Sequence, residues 1–113
     1  MIKVYCKLYI HSSSVESAIL IFESKYGIAR KELNNYYFKQ FDIHICKNKE
    51  TDTNKLCTYP NGFLYYEIIA DVCIYDNYIQ ITDTILRLLW QNNMPTVVSC
   101  DYEKELNDYI FKL

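Results

Sequence analysis

Apolar and polar residues alternate from residue 2 to residue 11. Ile2, Val4, Cys6, Leu8 and Ile10 fall on one side, and Lys3, Tyr5, Lys7, Tyr9 and His11 on the other. A period of two marks a half-buried strand. Ser13-Ser14-Val15-Glu16 then fits a capping box, in which the Ser hydroxyl and the Glu carboxylate each satisfy a free backbone N–H. Val15, Ala18, Ile19, Phe22 and Tyr26 follow at helical spacing, and Gly27 supplies a left-handed stop. Residues 28–35 read as a polar connection. A second strand is expected from Tyr36 to Cys46, with Phe41, Ile43 and Ile45 inward and Gln40, Asp42, His44 and Cys46 outward.

The segment Lys47 to Gly62 is polar and ends in an Asn-Gly turn at 61–62 after Pro60. The third strand, Phe63 to Ile74, is the most hydrophobic. Leu64, Tyr66, Ile68, Ala70, Val72 and Ile74 make one apolar face, which places it in the middle of a sheet. Asp76 or Asn77 caps a second helix from about Tyr78 to Asn93, and Pro95 forbids its continuation. Thr96 to Tyr102 makes a fourth strand. An acidic segment then leads to an apolar tail, residues 109–113, suited to docking on the body.

The order strand, helix, strand, strand, helix, strand predicts an α+β fold. It is the ferredoxin-like βαββαβ arrangement, a four-stranded antiparallel sheet with two helices on one face. Right-handed crossovers put the third strand between the first and the second, with strands one and three central. A chain of 113 residues makes one domain, 1–113.

Charge changes this picture. Residues 1–61 carry nine Lys/Arg against six Asp/Glu, whereas residues 62–108 carry eight acids against Arg87 and Lys104. An acidic field repels nucleic acid and attracts basic partners. Twelve tyrosines are compatible with an interface, since Tyr offers a large rigid face and a polar tip. A compositional bias explains them better, because Ile, Asn and Lys are abundant beside them while Ala, Gly, Arg and Pro are scarce. The five cysteines, 6, 46, 57, 73 and 100, include no C-x-x-C pair and are expected as free thiols in a reducing compartment. No apolar run approaches the ~18–20 residues of a membrane span. The first residues lack a signal-peptide core, so a cytoplasmic chain without a membrane partner is expected.

Candidate chemistry is sparse. Aromatic residues on the open sheet face could stack RNA bases, but Tyr65-Tyr66-Glu67-Ile68-Ile69 lacks the glycine-aromatic run and adds a carboxylate. His44 and Cys46 share a strand face, with Cys57 in the loop nearby and His11 at the same end of the sheet beyond the third strand, and a zinc site needs three or four ligands. No Ser sits on a glycine-flanked elbow, and two glycines make no phosphate loop. The paired carboxylates Glu103/Glu105 and Asp71/Asp76 have no apolar pocket nearby in sequence to raise a pKa for acid catalysis. A non-enzyme without cofactor or metal is expected.

Two stretches carry a resemblance. One is Tyr59-Pro60-Asn61-Gly62-Phe63-Leu64-Tyr65-Tyr66-Glu67. The other runs from Leu86 through Leu89-Trp90, Met94-Pro95, Val97-Val98 and Cys100-Asp101-Tyr102-Glu103 to Glu105-Leu106. Together, over residues 59–106, they resemble small cytoplasmic immunity proteins encoded beside bacterial polymorphic toxins. The resemblance implies a partner, a cognate toxin domain whose active site the protein occludes. An acidic, tyrosine-bearing surface suits a basic toxin, giving fast capture and aromatic anchors. The expected partner-binding residues are Asp101, Tyr102, Glu103 and Glu105, with Asp71 and Asp76 as a second cluster at the same end of the sheet. The alternative is a homodimer through the sheet face that binds a small molecule without catalysis. Both a monomer and a homodimer stay open.

Overall fold

A computed structural model describes residues 3–56 and 62–112, with the side chains of 111 and 112 outside the description. The elements in chain order are β1 (Val4–Ile10), α1 (Val15–Tyr26), β2 (Arg30–Glu32), β3 (Asn35–Tyr37), β4 (Phe41–Lys47), β5 (Ile68–Ile74), α2 (Tyr78–Gln91), β6 (Thr96–Cys100) and α3 (Glu103–Lys112). The strands form one antiparallel sheet in the order β2-β3-β4-β5-β1-β6. The architecture is therefore α+β, but with six strands and three helices in place of the four and two expected.

The four strands read from the pattern are β1, β4, β5 and β6. β5 lies between β1 and β4, as expected, and alternates strictly, with Ile68, Ala70, Val72 and Ile74 buried. Leu8 and Ile10 of β1 and Ile43 and Ile45 of β4 continue the same face. Ala18, Ile19 and Phe22 of α1 and Ile85 and Leu89 of α2 join them in one buried cluster. Burying each such side chain stabilises the fold by about 1.5–3 kcal/mol relative to leaving it in water.

Several elements differ from expectation. The N-cap of α1 is Ser14, whose Oγ accepts from the Ser17 N–H at 3.0 Å, so the cap sits one residue beyond the expected box. Glu16 instead lies in the first turn, where a negative charge meets the positive end of the helix dipole. Gly27 ends α1 at φ 87° with its N–H on the Glu23 carbonyl, as its position demanded. The 28–35 connection contains β2 and the start of β3, a hairpin turning through Leu33 and Asn34, with Leu33 at φ 55°.

The long second strand is two strands. At residues 38–41 the chain folds back, the Phe38 N–H meeting the Phe41 carbonyl at 2.9 Å, so β3 pairs with β4. The turn is held by aromatic packing: Phe38 stacks on Phe41 at 5.0 Å, and the Tyr26 ring meets Phe41 edge-on at 4.8 Å.

The third strand begins at Ile68, because residues 62–65 coil into a 3-10 turn. Buried Asn48 pins that turn by donating to the carbonyls of Leu64 and Tyr66, both at 2.8 Å. Gly62 is required there, since a Cβ would stand 2.2 Å from the Leu56 carbonyl oxygen. The first half of the expected Asn-Gly turn, Asn61, lies outside the described residues.

Asn77 begins α2 at φ 52° but makes no side-chain cap, and Asp76 Oδ1 accepts the Asn77 N–H instead. The chain after β6 forms α3, which buries Leu106 and packs Ile110 of the expected tail against the core, while residue 113 and the side chains of 111 and 112 lie outside the described residues. No helix among the described residues is long and apolar enough to cross a membrane.

Candidate functional site

The acids of the C-terminal half divide into those the fold uses and those it leaves in solvent. Glu67 accepts from His11 Nδ1 at 2.7 Å while the His11 ring stacks on Tyr66. Asp83 is buried and takes the Arg87 Nε–H on both oxygens at 3.0 Å. Asp71, Asp76, Asp101, Glu103, Glu105 and Asp108 are exposed, and none forms an ion pair with a lysine or arginine among the described residues. Five of these six are the carboxylates singled out from sequence.

Their positions follow from the strand register. Asp71 is in the middle of β5, on the sheet face without helices, opposite Lys7 of β1 and His44 of β4. It does not lie at the end of the strand, where a cluster with Asp76 would need it. Asp101 follows β6 directly. With Asp71, Tyr5, Lys7 and Ser99 it lines a shallow cleft of about 400 Å³. Asp76 belongs to a different, larger cleft of about 750 Å³, walled by Ile74, Tyr75, Tyr78, Ile79 and Tyr109. The expected pair of Asp71 and Asp76 is therefore divided, since Asp71 shares its cleft with Asp101 and Asp76 lines a separate one.

Glu103 and Glu105 both sit in the first turn of α3, where their charge also stabilises the helix dipole. Glu105 Oε2 accepts the Tyr78 hydroxyl at 2.7 Å, tying the start of α3 to the start of α2. That bond raises the Tyr78 pKa, because losing the proton would set two negative charges together.

Tyr102 is a correction. Expected at the contact surface, it is only 6% exposed. Its ring meets Tyr78 edge-on at 4.9 Å, and its hydroxyl shares a 2.7 Å hydrogen bond with Thr82 Oγ1. Burial drives its pKa far above the usual tyrosine value, and Cys6 beside it is pushed up to about 11 for the same reason. Tyr102 thus packs into the body against α2 just before α3 begins.

The open sheet face holds a second set of polar residues. Tyr37 lies under the Arg30 guanidinium at 4.3 Å, Tyr75 donates to Asp42, and His44 Nδ1 meets Asn35 Oδ1 at 2.9 Å. A groove of about 480 Å³ runs between this face and the 3-10 turn, lined by Lys7, Tyr9, Lys47, Lys49 and Tyr65. No group of three His, Cys, Asp or Glu able to hold a metal occurs among the described residues, and Cys57, the loop candidate beside His44 and Cys46, lies outside them.

Spacing could have revealed what the reading missed at this end. Tyr102, Leu106 and Ile110 recur every fourth residue, the mark of one helix face, and all three pack inward. Comparison with protein-family models, with curated proteins and with solved structures gives no match.

Proposed function

We propose that this protein is an immunity-type inhibitor, which binds a cognate toxin domain and blocks it through the acidic surface around the end of β6 and the start of α3. The four-strand portion with α1 and α2 we read as a ferredoxin-like core that carries this surface. One observation supports the reading above the others: six exposed carboxylates lie in the C-terminal half, and none forms an ion pair with a lysine or arginine among the described residues. The basic residues Arg30, Lys31 and Lys39 lie on the β2–β4 side. Such separation of charge steers a basic partner to one side of the molecule and speeds encounter. The contact residues in this reading are Asp71, Asp76, Asp101, Glu103 and Glu105.

The test is capture of a partner from the native host at low salt, followed by expression of that partner with and without this protein. A basic protein that arrests growth alone and is harmless in company supports the reading. Reversal by Asp101→Lys with Glu103→Lys is then expected to weaken binding at least about tenfold, a change of about 1.4 kcal/mol. Undiminished binding by that variant removes the acidic surface from the contact.

A second reading, a sheet-face dimer binding a small molecule, draws support from the groove beside Tyr9 and Tyr65. A monomer at all concentrations, with and without metabolites, would exclude it.

A further inference from the structure

The sheet has two edges, and they are built differently. β2 is three residues long, Arg30-Lys31-Glu32, every one charged and exposed. A short charged strand is a poor template for further pairing. β6 is five residues, Thr-Val-Val-Ser-Cys, with no charge at all. β-branched residues without a lysine or proline are what an edge open to pairing looks like.

The direction of the β6 backbone groups follows from its ladder. The His11 N–H donates to the Pro95 carbonyl at 2.8 Å, one step beyond the pair Ile10 and Thr96. Antiparallel pairs alternate between bonded and non-bonded, so β1 bonds Val97 and Ser99. The N–H and C=O groups of Thr96, Val98 and Cys100 therefore point away from β1. The Thr96 carbonyl is taken by the Trp90 indole N–H at 3.0 Å. Among the described residues no side chain and no loop backbone group bonds the outward N–H or C=O of Val98 or the N–H of Cys100, while the Cys100 carbonyl faces the turn at 101–102 that leads into α3.

Two features frame this free edge. At its start stands Trp90, fixed through its indole N–H yet 56% exposed. At its end follow Asp101 and Glu103, both exposed and without a basic partner among the described residues. We propose that the outer edge of β6 accepts an extended, basic segment of a partner protein as an added strand, with Trp90 packing against one end of that segment and Asp101 and Glu103 attracting its lysines or arginines at the other. Main-chain hydrogen bonds supply affinity in such strand addition, and the flanking side chains supply selectivity. Charge decides the occupant, since a second copy would add further unneutralised acids to an edge that already carries them. The proposal deepens the inhibitor reading, and it rests on that reading only for the identity of the partner.

The test is residue-resolved amide hydrogen exchange on the full chain. The probe is a short peptide in which lysines alternate with valine and threonine, and a glutamate version serves as control. At a peptide concentration ten times its dissociation constant, exchange at Val98 and Cys100 should slow about tenfold. The amides of β2 should be unchanged, and the glutamate peptide should have no effect. Asp101→Lys with Glu103→Lys should abolish the protection at the same lysine-peptide concentration.

Unaltered exchange at Val98 and Cys100 overturns the proposal, whether the peptide binds elsewhere or not at all. Protection that rises with protein concentration alone, together with a dimer in sedimentation, also overturns it, because a second copy then closes the edge. The two readings separate cleanly. A captured toxin that leaves both amides exchanging freely defeats the strand addition and spares the inhibitor. Protection by the peptide with no toxin ever captured does the reverse.

Discussion

The two ends of the sheet are finished by opposite means. On one side β2 and β3 extend it as a hairpin whose outermost strand buries nothing, and whose turn forces Leu33 to φ 55°. On the other side β6 runs into α3, which is pinned to the body by Tyr102 and Leu106. The first end depends on backbone pairing and on the ring of Tyr36, and the second on buried side chains. Local stability follows burial, so the hairpin should open more readily than the α3 end.

The largest break in that comparison is Tyr102→Ala. It removes a buried aromatic ring and one of the two hydrogen bonds of the Thr82 hydroxyl, which keeps its bond to the Tyr78 carbonyl, and should cost about 3–5 kcal/mol in urea unfolding. An equivalent truncation on the hairpin side, at exposed Lys31, should fall within about 0.5 kcal/mol of the parent.

Tyr102→Phe separates the ring from its hydroxyl. Loss of the 2.7 Å bond to Thr82 should cost about 1 kcal/mol at neutral pH. The same variant sharpens the pH response. The Tyr102 pKa is raised in the folded state, so its contribution is intact below the unfolded value near 10 and is lost as pH climbs above it. Thermal melts from pH 8 to 11 should show a shallower alkaline decline for Tyr102→Phe than for the parent. Tyr75 and Tyr78, raised by their bonds to Asp42 and Glu105, keep part of the decline in both.

The smallest expected effect lies at the hairpin. Leu33 is 85% exposed, so its side chain contributes no packing, and the left-handed backbone suits glycine or asparagine. Leu33→Asn should stabilise by about 0.5 kcal/mol and slow exchange of the β2 and β3 amides, leaving β6 untouched.

The contrast also explains what could be read from the chain. β1, β5 and α1 combine a clean period with one apolar face, and local pattern and tertiary packing agree there. Arg30-Lys31-Glu32 has no apolar face to alternate, and its turn uses leucine where glycine would have signalled a hairpin, so β2 was invisible. The split between β3 and β4 was hidden because Phe38 and Phe41 are both buried. Strand alternation from Tyr36 to Cys46 is interrupted by a turn of aromatic residues and not by a polar one. At the candidate site, the exposure of Asp71, Asp76, Asp101, Glu103 and Glu105 was legible from their charge. The burial of Tyr102 was not, because its residue type suits a core as well as an interface, and only its four-residue spacing to Leu106 distinguishes the two.

The pairing of β1 with β5 has a kinetic consequence. Val4 stands opposite Ile74 and Ile10 opposite Ile68, so two neighbouring strands of the sheet come from positions more than half the chain apart. Closing so large a loop must precede the contacts that reward it, which makes folding slow for a chain this short. During synthesis β1 emerges first and waits, its apolar face and both its edges unsatisfied, until β5 and then β6 arrive from the ribosome. The strand that anchors the finished sheet is thus the one most in need of a chaperone before the chain is complete.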